Sequence, residues 1–336
     1  MSLTVAVTGP TGDIGRSFLR ALDKHREVDR VLGMARRPFD PSSLGLKKTE
    51  YRQGDILDAE GLEDLFAEAD VVVHLAFIIV GSPEETRSVN LEGSRNVFTA
   101  AARAPKCKRL VYTSSVAAYG FHPDHPQPLT EDVEVRGTEA HYYSAQKAEL
   151  EGALRDALAG TDVEAYVFRP CIVAGGDAIF LLEMLPYVTL GEKLPEAARR
   201  LLASVPAVKP VLPDPGVPFQ LVHTDDVASA LVAGTLGRGE PGVFNLAADG
   251  ELSVADLAAA LGWYSAPVPS IAVDATAEVI ARLPLMPPAA HWISAFREPV
   301  LMDTTRARKT LRWRPKHDAR ATLMQTAAAG REKGIV

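Results

Sequence analysis

The segment His141–Lys147 reads HYYSAQK and places two adjacent tyrosines ahead of one lysine. On a helix, residues four apart share a face about one turn away, whereas neighbours point about 100° apart. Tyr143 therefore shares a face with Lys147, and Tyr142 does not. A free phenol titrates near pH 10, so ionising it near neutrality takes a shift of about 3 units, or roughly 4 kcal/mol, which a close ammonium could largely supply. That pairing would make Tyr143 an acid/base. The plain alternative is an aromatic and a lysine packing on an amphipathic helix, and this stretch alone leaves both open. Tyr142 is expected to pack or to wall a pocket.

A second group lies near the N-terminus, where TGPTGDIGRSFL follows an apolar run and opens a helical pattern. This is the context that a glycine-rich dinucleotide loop requires. Gly9 permits the tight turn, Gly12 lets backbone approach a pyrophosphate, and Gly15 lets the helix pack closely. The helix start then offers free N–H groups and a partial positive charge. Thr11, Asp13 and Ile14 belong to the same turn and are expected at the dinucleotide with it. An NAD site usually has a carboxylate about 20 residues after the last glycine, for the ribose 2′-hydroxyl. Here that neighbourhood reads Met34-Ala35-Arg36-Arg37. Two guanidiniums and no acid predict NADP rather than NAD.

These groups need a scaffold, and the first half of the chain supplies a pattern for one. LTVAVT (3–8), RVLGMA (30–35), VVVHLA (71–76), RLVYTS (109–114) and VEAYVF (163–168) read as strands, with GRSFLRALDKH, AEGLEDLFAEA, VNLEGSRNVFTAAARA and YSAQKAELEGALRDAL as crossover helices. Short apolar runs alternating with helices predict an α/β protein, a Rossmann-type doubly wound parallel sheet. After residue 170 the alternation fades, prolines crowd into 205–218, and FQLVHTDDVASALVAGTL resumes a strand-then-helix pattern with Thr224, Asp225 and Asp226 as expected caps. A second irregular region carries LPLMPP. The expected division is a dinucleotide-binding domain of 1–170 plus about 217–248. About 171–216 plus 249–336 would form a smaller, discontinuous C-terminal substrate lobe. The Ala-rich C-terminal segment reads as a surface helix with a frayed tail.

The totals narrow the partners. A net charge of -7 with interleaved signs gives no basic stripe for nucleic acid or an anionic membrane. Cys107 and Cys171 are the two cysteines, too few for a disulfide framework or a cysteine metal site, and they suit a reducing cytoplasm. No basic leader precedes the first strand, and VVVHLAFIIV is too short to span a bilayer, so neither secretion nor membrane insertion is expected. HPDHP (122–126) reads as a solvated proline-rich loop rather than a metal site, and His74 and His223 as satisfied interior or boundary histidines.

With both ends in view, the chain resembles the extended short-chain dehydrogenase/reductase family, which includes NAD(P)-dependent epimerases, dehydratases and dihydroflavonol-type reductases. The resemblance rests on Gly9, Gly12 and Gly15; GDILD (54–58); VVHLA (72–76); VNLEGSRNV (89–97); VYTSSVAAYG (111–120); Tyr143 with Lys147; FRP (168–170); FNLA (244–247); and DTTRARKTLRWRP (303–315). It implies Tyr143 as general acid/base, Lys147 as the group that lowers its pKa and holds the nicotinamide ribose, and Ser115 as the hydroxyl that orients the substrate oxygen. Asn90 would hold active-site backbone or a relay water. Asp55 and Ile56 would lie beside the adenine. Leu75, Ala76, Thr113, Pro170 and Ile172 would line the cofactor, with Cys171 packing there as a small apolar group. Relatives often dimerise through helices beside the tyrosine, so a homodimer is an expectation as well.

Departures from the family narrow the reaction. The Asp-Glu pair that follows the active-site hydroxyl in sugar dehydratases is replaced by Val116 and Ala117. The arginine that nucleotide-sugar epimerases commonly place four residues before the histidine of VH is Phe219 here. Arg297 is a remaining candidate phosphate ligand, with a surface ion pair as the plain alternative. The expected function is an NADP(H)-dependent reductase or dehydrogenase acting on a small, largely apolar carbonyl or alcohol. The alternatives are a nucleotide-sugar epimerase and, from another class, a non-catalytic NADP-binding regulator.

Overall fold

The structure, a computed structural model, describes residues 2–185, 187–188, 209–268 and 298–336. Its strands are β1 (Leu3–Thr8), β2 (Val28–Ala35), β3 (Thr49–Gln53), β4 (Val71–His74), β5 (Arg109–Thr113), β6 (Glu164–Pro170), β7 (Ile172–Ala174), β8 (Val211–Asp214), β9 (Leu221–His223), β10 (Gly242–Leu246) and β11 (Tyr264–Pro267). The helices that matter below are α1 (Asp13–Leu22), α2 (Ala59–Phe66), α3 (Gly93–Arg103), α4 (Tyr142–Leu158), α5 (Thr224–Thr235), α6 (Val254–Leu261) and α7 (Ala319–Glu332).

Seven strands form one parallel sheet in the order β10-β6-β5-β4-β1-β2-β3. Alternate residues of each strand serve opposite faces. Val5, Val7, Val71, Val73 and Val111 therefore cluster with Phe18, Leu19 and Leu22 of α1 and with Val227 and Leu231 of α5. Ala6, Val72, Leu110 and Tyr112 cluster on the other side with α2, with Val97 and Phe98 of α3 and with Leu150 and Leu154 of α4. Covering both faces explains why these strands read as unbroken apolar runs. Strand β3, TEYRQ, was not visible in that way because it is the exposed edge strand and carries charged side chains.

The sheet order reverses between β1 and β4, and a crevice opens beyond the ends of these strands. His74 stands at the end of β4, buried between Thr8 Oγ1 at 2.7 Å and Ser94 Oγ at 2.9 Å. Burial and the nearby Lys147 push its pKa down to about 3, so it is neutral. This is the satisfied interior histidine that the sequence suggested.

Outside the main sheet, β7 pairs with β9 and β8 with β11. A third apolar cluster, including Leu182, Leu212, Leu221, Leu257 and Leu323, draws its members from both sides of α5 and β10. Part of the proline-rich stretch thus forms a strand, β8, while 205–208, LPLMPP and Arg297 lie outside the described residues. One expectation is corrected. The cap of α5 is His223, whose ring accepts from the Asp225 N–H at 3.1 Å. Asp226 is instead buried and accepts from the backbone N–H groups of Lys316 and His317, at 2.7 and 3.1 Å. Helix α7 exposes Arg320, Ala321, Met324, Gln325 and Ala328 as a surface helix does, but its other face is buried through Thr322, Leu323, Thr326 and Ala327, and Thr326 Oγ1 accepts from the Gly175 N–H at 2.9 Å. Small side chains allow that close packing and leave no bulky apolar stripe for a sequence reader to see. No described helix is long and apolar enough to cross a membrane.

Candidate active site

Helix α4 begins at Tyr142 because His141 caps it, its ring accepting the Ser144 N–H at 3.3 Å. This is the local signal that a sequence beginning HYYS hides, since histidine is not among the usual caps. From that start Tyr143 and Lys147 fall on the buried side of α4. Ser115 ends the β5 segment and faces Tyr143, to which it is hydrogen-bonded. Ser114 points elsewhere, as strand geometry requires, and donates to Glu151 Oε1 at 2.6 Å.

Burial holds the Tyr143 phenol up to about 12, with the Ser115 hydrogen bond opposing. Lys147 is pushed down to about 7 by burial, with Glu151 opposing. Its Nζ donates to the Thr113 carbonyl at 3.0 Å and stands 3.8 Å above the Phe77 ring centroid. The expected lowering of the Tyr143 pKa by the lysine is therefore absent in the protein alone. The Lys147 ammonium stands 5.9 Å from the Tyr143 ring centroid, and burial sets the direction for both groups.

Asn90 lies in a π-helical turn (Ser88–Glu92) that leads into α3. Its amide accepts from the Ile78 N–H at 2.8 Å, donates to the Ile78 carbonyl at 2.9 Å, and donates to Gln146 Oε1 on α4 at 2.9 Å. Of the two roles expected for it, the geometry is that of a backbone holder. Tyr142 donates to the Ile79 carbonyl at 2.8 Å, so the second tyrosine fixes the same loop.

At the other end, Gly9 has φ +78°, and a Cβ there would sit 2.6 Å from the Ala76 nitrogen. A Cβ on Gly15 would collide with the Gly9 carbonyl and Pro10. On Gly12 it would meet only the Gly9 oxygen, at 3.7 Å, so this backbone faces open space at the start of α1. That open cradle, backed by unpaired helix N–H groups, fits a pyrophosphate. Arg16 braces the turn by donating to the Thr11 carbonyl at 3.0 Å and to Asp13 Oδ1 at 2.7 Å. Burial holds the Asp13 carboxyl above its usual range despite Arg16.

One cavity of about 330 Å³ joins the two ends. Gly9, Gly12, Asp13, Ile14 and Gly15 line its phosphate side, and Leu75, Thr113, Ser115, Tyr143, Lys147, Pro170, Cys171 and Ile172 line its floor. Burial raises the Cys171 thiol well above its ordinary pKa, which suits a packing group. Thr11, Ala76 and Asn90 are not among the residues that line the cavity. Arg36, Arg37, Asp55 and Ile56 follow β2 and β3 outside it. Arg36 and Arg37 are exposed and form no ion pair among the described residues. Their backbone is fixed from β3, where Tyr51 Oη donates to the Ala35 and Arg37 carbonyls and Gln53 Nε2 donates to that of Arg36.

The outer wall was not foreseen in the sequence, except at Phe219. It comprises Phe77, Ile79, Val116, Phe121, Phe180, Val217, Pro218, Phe219 and Val300, with Glu298 and Gln220 as polar members. Its residues come from loops and short helical turns that share no spacing. The HPDHP loop is engaged by protein groups, since Asp124 pairs with Arg136 at 2.9 Å and the His122 ring contacts the Gly137 carbonyl at 2.6 Å.

A glycine turn at the switch point of a parallel sheet and a buried Ser-Tyr-Lys group sharing its cavity define an NAD(P)-dependent enzyme. Comparison with known proteins agrees, because the family model for the NAD dependent epimerase/dehydratase family matches residues 5–247. The chain belongs to that family. It is 27% identical over 332 residues to an uncharacterized protein of Mycobacterium tuberculosis, covering 93% of this chain and 80% of that one. It is 26% identical over 185 residues to cinnamoyl-CoA reductase 2 of Medicago truncatula, covering 51% of this chain and 54% of the reductase. Its fold is similar to that of a short-chain dehydrogenase/reductase superfamily protein of Agrobacterium tumefaciens with bound NAD. The TM-score is 0.72 at 22% identity, with 98% of both chains covered.

Proposed function

We propose that this enzyme is an NADP(H)-dependent reductase or dehydrogenase that interconverts a carbonyl and an alcohol on a small, largely apolar substrate, with Tyr143 as acid/base. One observation carries the reading: the Tyr143 and Ser115 hydroxyls open into a cavity whose outer wall is apolar, with the Phe219 ring at the position where sugar-nucleotide epimerases commonly have arginine. The dinucleotide, when bound, supplies the hydride donor or acceptor. Tyr143 gives a proton to the substrate oxygen in reduction and takes it back in oxidation, while Ser115 orients that oxygen. Gly12 and the start of α1 would hold the pyrophosphate, Asp55 and Ile56 would flank the adenine, and Lys147 would hold the ribose beside Leu75, Ala76, Pro170 and Ile172. The division into a dinucleotide-binding part and a substrate lobe belongs to the same reading, as does a cytoplasmic setting for two buried, unpaired thiols.

The NADP preference is supported by two exposed guanidiniums on a braced turn and by the absence of a carboxylate from Met34 to Arg37. The likeness to a cinnamoyl-CoA reductase over half the chain supports a carbonyl substrate. The test follows NADPH oxidation with a panel of aromatic aldehydes, cinnamaldehyde among them. Tyr143→Phe is expected to lower turnover at least about 10²-fold while changing NADPH affinity less than about twofold, and unchanged turnover would sink the assignment. Equal affinities for NADPH and NADH would overturn the cofactor preference. Release of tightly held NAD on denaturation would favour the epimerase instead.

A further inference from the structure

Behind the floor of the cavity lies a buried ion pair that the proposed chemistry does not use. Glu151 on α4 accepts from Arg169 twice, from Nε at 2.9 Å and from Nη2 at 2.6 Å, and both side chains are buried. The same carboxylate accepts from Ser114 Oγ at 2.6 Å. Each partner is the chain neighbour of a residue in the cavity floor. Ser114 precedes Ser115 at the end of β5, and Arg169 precedes Pro170 at the end of β6. Glu151 itself lies one helical turn from Lys147 and two from Tyr143, on the same face. One carboxylate thus joins the helix that carries Tyr143 and Lys147 to the strand ends that lead into Ser115 and Pro170.

We infer that Glu151 is a positioning residue: it ties β5, β6 and α4 together behind the reacting centre, and its negative charge serves the Lys147 ammonium. The inference rests on the reading of Tyr143 and Lys147 as the acid/base pair. The groups facing Lys147 make the electrostatic part specific. From β4 comes His74, which is neutral; from β5 the Thr113 carbonyl and the Tyr112 ring, 5.2 Å away; from the loop after β4 the Phe77 ring; and from α4 Tyr143 and Glu151. Among them Glu151 supplies the charge that opposes the burial of Lys147. A pair serving the fold alone would be replaceable by apolar groups of similar volume without altering the lysine.

The experiment labels the full-length protein with ¹³Cε-lysine, without nucleotide, and identifies the Lys147 resonance by its loss in Lys147→Arg. Its titration midpoint is then compared among the parent, Glu151→Gln and Glu151→Gln/Arg169→Met. Gln keeps the shape and the Ser114 hydrogen bond, and the double variant leaves no unpaired buried charge if the single one does not fold. The midpoint is expected to fall by at least about half a pH unit in either variant. An unchanged midpoint in whichever variant folds overturns the inference, even if its thermal stability drops. The readout does not depend on turnover. A midpoint shift combined with an active Tyr143→Phe enzyme would therefore refute the acid/base reading and leave the electrostatic coupling standing.

Discussion

The floor and the outer wall of the cavity are built on different principles. The floor comes from a few contiguous segments, and several of its polar groups are held by hydrogen bonds: Lys147 on the Thr113 carbonyl, Ser114 on Glu151. The wall is assembled from short loops and helical turns spread from Phe77 to Val300, and it is mostly apolar. Directional hydrogen bonds fix positions closely, whereas apolar contact is non-directional and tolerates changes of shape. The floor is suited to one chemistry and the wall to choosing what that chemistry acts on.

The largest effect that would test this contrast concerns stability at the floor. The folded-state pKa of Lys147 lies below its unfolded value, about 7 against 10.5, so the unfolded chain binds the extra proton between these limits. Stability of the nucleotide-free protein should therefore rise with pH from about 7 to about 10.5, by up to several kcal/mol. Lys147→Met should flatten that rise in urea midpoints measured across the range, and an identical rise in the variant would refute the buried ammonium as its source. Next in size, Ser115→Ala should lower turnover about 10²-fold without weakening NADPH binding, as steady-state kinetics and fluorescence titration will show. At the boundary between the regions, Tyr142→Phe removes the hydrogen bond to Ile79. It should cost about 1 kcal/mol, read as a KM raised roughly fivefold with kcat nearly unchanged. A comparable fall in kcat would mean that the loop belongs to the floor. The smallest effect is expected within the wall itself, where Phe219→Leu should alter the relative kcat/KM values of the aldehydes in the panel by less than about threefold.

How much of this could be read from the chain follows the same division. Five of the seven sheet strands were visible as apolar runs because helices cover them on both faces. β3 was hidden by its exposed edge and β10 inside the FNLA segment. The shared face of Tyr143 and Lys147 and the three-glycine turn were legible because they depend on local spacing, whereas Ser115 was reached through the family resemblance. The start of α4 was not, since a histidine caps it, and neither was the buried packing of α7, where alanine and threonine do what leucine usually does. Asn245 of FNLA shows why a recognisable segment can still conceal its function. Its side chain accepts from Tyr119 Oη at 2.7 Å and donates to the carbonyls of Leu129 and Asp303 at 3.1 and 3.2 Å, joining segments far apart in sequence.

The sequence by itself determined the alternation of strand and helix, the turn at Gly9 to Gly15 and the facing of Tyr143 toward Lys147, because each depends on dihedral freedom or helical period within a few residues. Only the tertiary structure decided that burial raises the phenol and lowers the lysine and that Asn90 and Tyr142 fasten one loop. It alone set Glu151 against both Ser114 and Arg169 behind the cavity. Those outcomes depend on desolvation and on contacts between distant segments, which no local spacing encodes.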